Sequence, residues 1–338
     1  MGAVTVSSGE VVKIGSGGCS FCSISTLSLA EMTWEVLSTP ADASQGHGVY
    51  AASEQHTLDA FGLEVVDGWR VESRTAILVD HEAGTWSIED PPDDYRSGGI
   101  YARMHWTGSE FLIFGGRAAI PRDSPSDLEV AHYYDGILFD PVGRIWRRME
   151  AARPDDLVAR GDGGPSVASV WTSAGLFVWG TSAERTEAWG AIFDVETMTW
   201  EQLEVGEDAP PVLETHQLQV VGDDVYLHGG RPARTEAGTF SRRMWRYSLS
   251  GRTWSEVTVP EWADPMNGTV VDEKLAFVGR CAGGDLYDPA TESWSPLAVE
   301  GAPPSTGVPR GAGSFLTVTD TYYDETETNA VWVLDLRQ

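Results

Sequence analysis

The sequence predicts an all-β protein, a seven-bladed β-propeller of four-stranded antiparallel blades whose last blade is short of its outer strand. Three observations predict it. A short apolar strand ending in Asp or Ser is followed six residues later by Trp, and this unit recurs along the chain. Strands ending in glycine stand upstream of these units. The 37 Gly and 18 Pro are spread over 338 residues with no G-X-Y period, which is the punctuation of many short strands and turns.

The Trp units come in order as Leu27-Ser28 with Trp34, Val79-Asp80 with Trp86, Phe139-Asp140 with Trp146, Phe193-Asp194 with Trp200, Tyr247-Ser248 with Trp254 and Tyr287-Asp288 with Trp294. A seventh, Val331 to Asp335, stops before any second Trp. The glycine-ended strands are Val11–Gly15, Phe111–Gly116, Leu176–Gly180, Val225–Gly230 and Leu275–Gly279. Another strand and a tight turn precede each, as Leu218–Val221 precedes Gly222-Asp223. Each unit thus reads as strands a to d of one blade. The expected organisation is a single domain, 1–338, with blades at about 1–38, 39–91, 92–152, 153–206, 207–260, 261–299 and 300–338. Ala3–Ser7 is expected as strand a of the first blade, with the ring closing by sheet-to-sheet packing; closure by a strand shared between the termini is the alternative.

Physical reasons attach to the repeated positions. The Asp or Ser accepts hydrogen bonds from N–H groups of the c–d turn. The β-branched Thr starts strand d, and Trp offers a broad surface between neighbouring sheets. Glycines after strand b remove Cβ where sheets converge near an axis. Blade two keeps only Gly62, blade four has Gly180-Thr181, blade six Gly279-Arg280, and blade five Ser248 in place of the turn Asp.

These units resemble kelch repeats, in which a glycine pair closes strand b and a Tyr/Phe-Asp-Pro turn and a Trp follow. Gly115-Gly116 with Phe139-Asp140-Pro141 and Trp146, and Tyr287-Asp288-Pro289 with Trp294, carry the resemblance, which extends over nearly the whole chain. It implies a galactose oxidase/kelch-like propeller. It brings two functions into view, a binding or interaction module working through its loop face and central pocket, and a sugar-modifying enzyme of mutarotase or epimerase type with an arginine-lined pocket for an acidic substrate. Fold does not choose between them. A copper-radical oxidase of this family needs a Tyr–Cys pair with Tyr and His ligands, and no matching set is identified here.

Composition narrows the partners. With 23 basic against 51 acidic residues the net charge is −28, and no basic run exceeds Arg147-Arg148 or Arg242-Arg243, so nucleic acid is excluded. The acidic surface reads as a solvated one, with a cationic ligand or Ca²⁺ as the alternative, although the run Glu89 to Asp94 lacks the spaced oxygens of a calcium loop. Cys19, Cys22 and Cys281 give no disulfide framework; a local disulfide or free thiols is the reading, and no metal or other cofactor is expected. No apolar run is long enough for a transmembrane helix. The residues leave the compartment open, an extracytoplasmic chain with its signal removed being favoured over a cytoplasmic one, and a monomeric propeller is expected. No phosphate loop, nucleophile elbow or zinc-protease motif is present, which leaves catalysis open and its residues unassigned.

Candidate ligand-binding residues cluster where b–c and d–a connections emerge together. Arg117 and Arg231 follow glycine pairs, Arg280 follows Gly279, and Arg103 and Arg310 stand near the start of strand a, as do His105 and His216. An inward ring of guanidinium groups would recruit a carboxylate or sulfate, on a small acidic ligand or a glycan. The alternative is that each pairs with a neighbouring carboxylate. The blade-three connection from Arg117 to Gly136 is long and carries His132, Tyr133 and Tyr134, a candidate protein-binding loop or else a strand entry.

Overall fold

The computed structural model describes residues 3–7, 11–15, 24–28, 33–37, 49–60, 63–66, 69–72, 75–92, 95, 102–120, 129–152, 167–182, 186–232, 240–278, 284–297, 308–312, 315–319 and 331–335. The strands within 3–37, 63–72, 117–132 and 308–335 are described as backbone. Cys19, Cys22, Cys281 and Arg280 lie outside the described residues.

Every regular element among the described residues is a β-strand. The first sheet holds β1 (Ala3–Ser7), β2 (Val11–Gly15), β3 (Ile24–Ser28) and β4 (Thr33–Leu37), paired in that order, so Ala3–Ser7 heads it. In the second, β5 (Val49–Ala52) and β6 (His56–Ala60) are followed by a separate ribbon, β7 (Leu63–Val66) with β8 (Trp69–Glu72), before β9 (Ala76–Asp80) and β10 (Thr85–Glu89) complete the four strands. The third repeats this plan: β11 (Arg103–Trp106), β12 (Phe111–Phe114), a ribbon of β13 (Arg117–Ile120) and β14 (Glu129–His132), then β15 (Gly136–Asp140) and β16 (Ile145–Met149).

Three further four-stranded sheets show no ribbon among the described residues. They are β17 (Val167–Thr172) to β20 (Thr199–Gln202), with β18 (Gly175–Thr181) and β19 (Ala188–Asp194) between; β21 (Leu213–Val221), β22 (Asp224–Pro232), β23 (Met244–Ser248) and β24 (Thr253–Val257); and β25 (Gly268–Val271), β26 (Lys274–Val278), β27 (Gly284–Asp288) and β28 (Ser293–Leu297). The last sheet has three strands among the described residues, β29 (Val308–Ala312), β30 (Phe315–Thr319) and β31 (Val331–Asp335). Five of the four-stranded sheets, those from β5 to β28, are described with their side chains.

The chain gathers into two compact units, Met1–Pro165 with Phe193–Trp200, and Ser166–Ile192 with Glu201–Gln338. In the first, β1 lies beside β5 and β5 beside β11. In the second, β17 lies beside β21, β21 beside β25 and β25 beside β29. Within each unit the opening strand of one sheet therefore neighbours the opening strand of the next.

Stacking of consecutive sheets accounts for the middle strands. All four residues of β12 and all seven of β18 are buried, and the sequence there is continuously apolar instead of alternating. Leu58, Leu78, Phe111, Ile113 and Phe139 form the core between the second and third sheets. Phe177, Trp179, Leu227, Trp245 and Trp254 form the corresponding core of the second unit, and Tyr226, Phe277 and Tyr287 continue it.

The c–d turns follow the expected chemistry. Oδ1 of Asp140 accepts from Val142 N at 2.8 Å and Gly143 N at 3.0 Å, and Oδ1 of Asp194 accepts from Glu196 N at 2.8 Å. Ala83 N in its turn holds the Asp80 carboxyl below the usual carboxylate range, as Glu196 N does for Asp194. Ser248 substitutes directly, its Oγ accepting from Gly251 N at 3.1 Å.

Each Trp then lies opposite the residue that precedes the turn Asp or Ser. Trp146 pairs with Phe139 and Trp294 with Tyr287, ring centroids 4.4 Å and 5.0 Å apart. The indole also reaches the preceding sheet's exit: Trp200 Nε1 donates to Glu150 O at 2.8 Å and Trp294 Nε1 to Thr258 O at 2.9 Å. Trp254 differs, its buried Nε1 having no acceptor while its ring packs on Trp179 at 4.7 Å.

Candidate functional site

In an antiparallel a–b–c–d sheet the b–c connection leaves from the end at which strand a begins. The glycines after strand b sit at this end, for a reason the sequence reading did not give. Gly115, Gly116, Gly229 and Gly230 all have positive φ, from 67° to 106°. A Cβ on Gly115 would stand 3.2 Å from Tyr133 O, and one on Gly230 3.0 Å from Glu214 O. Backbone turning thus calls for glycine at all four positions, and close approach of a neighbouring carbonyl adds to it at Gly115 and Gly230.

In the first unit, Gly115 N donates to Asp135 O at 2.9 Å and Tyr133 N to Gly116 O at 3.0 Å, which launches the β13–β14 ribbon with Arg117 opposite His132. Eight residues of the long connection expected from Arg117 to Gly136 accordingly form a ribbon, and a second ribbon, β7–β8, leaves the neighbouring sheet at the same end. Tyr134 is buried and its carbonyl accepts from Ala152 N at 2.9 Å, so it serves the ribbon's base, whereas Tyr133 is partly exposed. The side chains of Arg117 and His132 lie outside the described residues, as does that of Arg310 in β29. Arg103 opens β11 with an exposed side chain. Two residues on, burial and then the Arg103 charge push the His105 imidazole down to about 3, which keeps it neutral.

In the second unit, Arg231 and Glu214 are cross-strand partners, with Nε donating to Oε2 at 3.1 Å; Glu214 is buried and Arg231 about half exposed. His216 is buried, its Nδ1 3.1 Å from Leu213 O and its Nε2 3.1 Å from Trp179 O on β18. A neutral ring donates through one nitrogen only, and burial outweighs the pull of the two carbonyls, so its pKa lies below the usual histidine range. Between Glu214 and His216 stands Thr215, exposed and left-handed at φ +57°, an outlier for a β-branched residue. Deeper in, His228 is fully buried, edge-on to Phe277 at 5.1 Å, with Nδ1 3.2 Å from Pro265 O and Nε2 without a partner among the described residues; burial pushes it down to about 4.

Two arginines that sequence reasoning passed over stand at the same end. Arg243 is bidentate on Glu256, Nε–Oε1 and Nη2–Oε2 both 2.6 Å, and lies 4.8 Å over the Trp245 ring. Arg242 Nη2 donates to Ala263 O at 2.6 Å. They wall a cavity of about 540 Å³ with Glu256, Val259 and Glu261. The signal for Glu214 was available: it stands as far before the turn Gly222-Asp223 as Arg231 stands after it, which is what antiparallel register demands. No such symmetry marks Arg243 and Glu256, since Glu256 stands opposite Trp245 and Arg243 reaches it diagonally.

Among the described residues no group of three or more His, Cys, Asp or Glu side chains is placed to hold a metal ion, and no helix is long and apolar enough to cross a membrane. No family model matches the chain. Kelch domain-containing protein 3 of Rattus norvegicus is 24% identical over 215 residues, 55% of this chain and 53% of that protein, and the Mus musculus protein of the same name matches to the same extent. The chain spans about half the length of these curated relatives, and its four-stranded antiparallel sheets fit a kelch-like propeller.

Proposed function

We propose that the chain is a kelch-like propeller whose seven sheets are its blades, and that it works as a protein-interaction module through the end where the b–c connections emerge. The observation that carries this reading is the adjacency of opening strands within each unit, β5 to β11 and β17 to β21 to β25, which is how blades set about an axis meet. Similarity to two kelch-domain proteins supports it. The ribbons β7–β8 and β13–β14 supply surface beyond the blades. Arg103, Arg117, Arg231, Arg280 and Arg310, with His105 and His216, are proposed to ring the mouth, and Tyr133 to stand beside it.

A peptide-display selection against the immobilised chain tests this. Enriched peptides are expected to lose binding when residues 119–130 are replaced by Gly-Gly, or when Tyr133 is changed to Ala, while circular dichroism stays unaltered. Turnover of an acidic sugar that Arg103→Gln abolishes, with no peptide enriched, would replace this reading with the enzymatic one.

A further inference from the structure

The opposite end of the sheets, where a–b and c–d turns emerge, carries a cavity of its own. Of about 850 Å³, it lies wholly in the first unit, between the a–b turns of the second and third sheets and the c–d turn of the third. Its wall is built, in that each turn is pinned by a side chain. Ser53 Oγ accepts from His56 N at 2.9 Å and Thr107 Oγ1 from Glu110 N at 2.9 Å, while Asp140 binds its own turn. From outside the cavity, Arg147 forks onto Glu110, Nε donating to Oε1 at 3.0 Å and Nη2 to Oε2, which fixes that carboxylate in place and balances its charge.

The lining is of two kinds. Among the described residues, Glu54 and Asp140 contribute carboxylates not paired with a Lys or Arg, Glu110 one that Arg147 already holds, and the lining has no Lys or Arg and one basic group, His56. The indole of Trp106, tilted against Phe111 at 4.8 Å, and the exposed Val142 supply apolar surface. A ligand matching both has an apolar stem and a cationic head. Arginine and lysine side chains have this form: the stem lies along apolar surface while the head meets carboxylates and an aromatic face. In a chain of net charge −28 the approach of such a group is favoured from a distance.

We infer that this cavity receives a basic side chain, arginine foremost, from an extended segment of a partner protein. The guanidinium is bidentate toward carboxylates and stacks on indole, which an ammonium does less well. This site is independent of the b–c end proposed above, so either can fail without the other.

The test is calorimetric titration of the full chain with Ac-Gly-Arg-Gly-Arg-Gly-NH2 and with the same peptide carrying citrulline, which keeps the shape and removes the charge. The arginine peptide is expected to bind at least about tenfold more tightly, as a charge-assisted pair implies. Glu54→Gln and Val142→Lys, both on exposed side chains, are expected to weaken it about threefold and to abolish it, respectively. Arg243→Gln, at the b–c end of the other unit, is expected to leave it unchanged. The inference is overturned if the two peptides bind alike, if neither binds, if binding survives Val142→Lys, or if free spermidine binds as tightly as the arginine peptide, which would make a small polyamine the occupant.

Discussion

Arg252, left-handed at φ +54°, places Nη2 2.7 Å from Oε2 of Glu201 on the sheet before its own. The position recurs four residues after every turn Asp or Ser described with side chains: Gly84, Arg144, Met198, Arg252 and Glu292 all have positive φ. Its side chain reaches back to the preceding sheet each time it has one. Arg144 pairs with Glu89, Met198 Sδ receives Arg147 Nη1 at 3.5 Å, and Glu292 Oε1 receives Arg246 Nη1 at 3.2 Å. The turn thus trades backbone strain for a contact between sheets.

That trade fixes a sign. Left-handed backbone costs a non-glycine residue about 1–2 kcal/mol, and an exposed ion pair returns about 0.2–1 kcal/mol. Arg252→Gly is therefore expected to leave stability unchanged or raise it by up to about 1 kcal/mol, although it deletes an ion pair. Arg252→Val, β-branched at the same φ, is expected to lower it by about 2 kcal/mol. Urea unfolding of both variants checks this, and a loss above about 1 kcal/mol for the glycine variant would show that the contact outweighs the strain.

The Trp positions carry a second prediction. Trp294→Phe keeps a ring against Tyr287 and removes the donor to Thr258 O, so a cost of about 1–2 kcal/mol is expected from the lost bond and reduced ring area together. Amide exchange should quicken at the end of β24, next to the abandoned carbonyl. Unchanged exchange there would mean that the indole bond does not couple the sheets.

Much of this was legible in the sequence, because the repeat fixes strand order and register together. Asp194 and Trp200 locate a turn and a strand without any knowledge of the third dimension. What was illegible depends on contacts between repeats or on backbone sign. Gly84 is the sole glycine among five left-handed turn positions, so the usual marker of positive φ was hidden behind Arg144, Met198, Arg252 and Glu292. Tyr134 and Tyr133 read alike in sequence, yet alternation at the ribbon's base buries one and not the other. The cavity around Trp106 escaped notice because its three turns are far apart in the chain, and each taken singly is ordinary.

Buried histidines lower stability as pH falls. His216 and His228 both have folded pKa values below the unfolded value near 6.5, His228 down to about 4, so the unfolded chain gains their protons first as pH falls. Their contribution is complete above pH 6.5 and is lost as pH falls toward 4, by roughly 3 kcal/mol for His228 alone. His228→Asn should flatten the fall in stability between pH 6.5 and 4, whatever its effect at pH 7. A slope in that window identical to the parent's would remove His228 as its source.

Asp59 works in the opposite direction. Burial raises its carboxyl to about 7, so the folded chain holds a proton that the unfolded chain releases near 4. Stability from this group is complete below pH 4 and lost as pH rises through 7. Asp59→Asn, neutral at every pH, is expected to gain on the parent by about 1–4 kcal/mol, rising from pH 5 to 8, and to differ little below pH 4. Parallel stability curves for the two proteins would refute the raised carboxyl.

The last prediction separates structure from recognition at Arg231. Its Nε holds the buried Glu214 carboxylate, and removing one partner of a half-buried pair weakens the compensation of a buried charge. Arg231→Gln is expected to cost about 1–3 kcal/mol of stability, and Glu214→Gln with Arg231→Gln less than the sum of the two singles, since the pair then disappears as a unit. If Arg231 also serves ligand recognition, the double variant recovers stability without recovering peptide binding. Stability and binding that return together in the double variant would assign Arg231 to the fold alone, and the mouth of the b–c end would then depend on Arg103 and the ribbons.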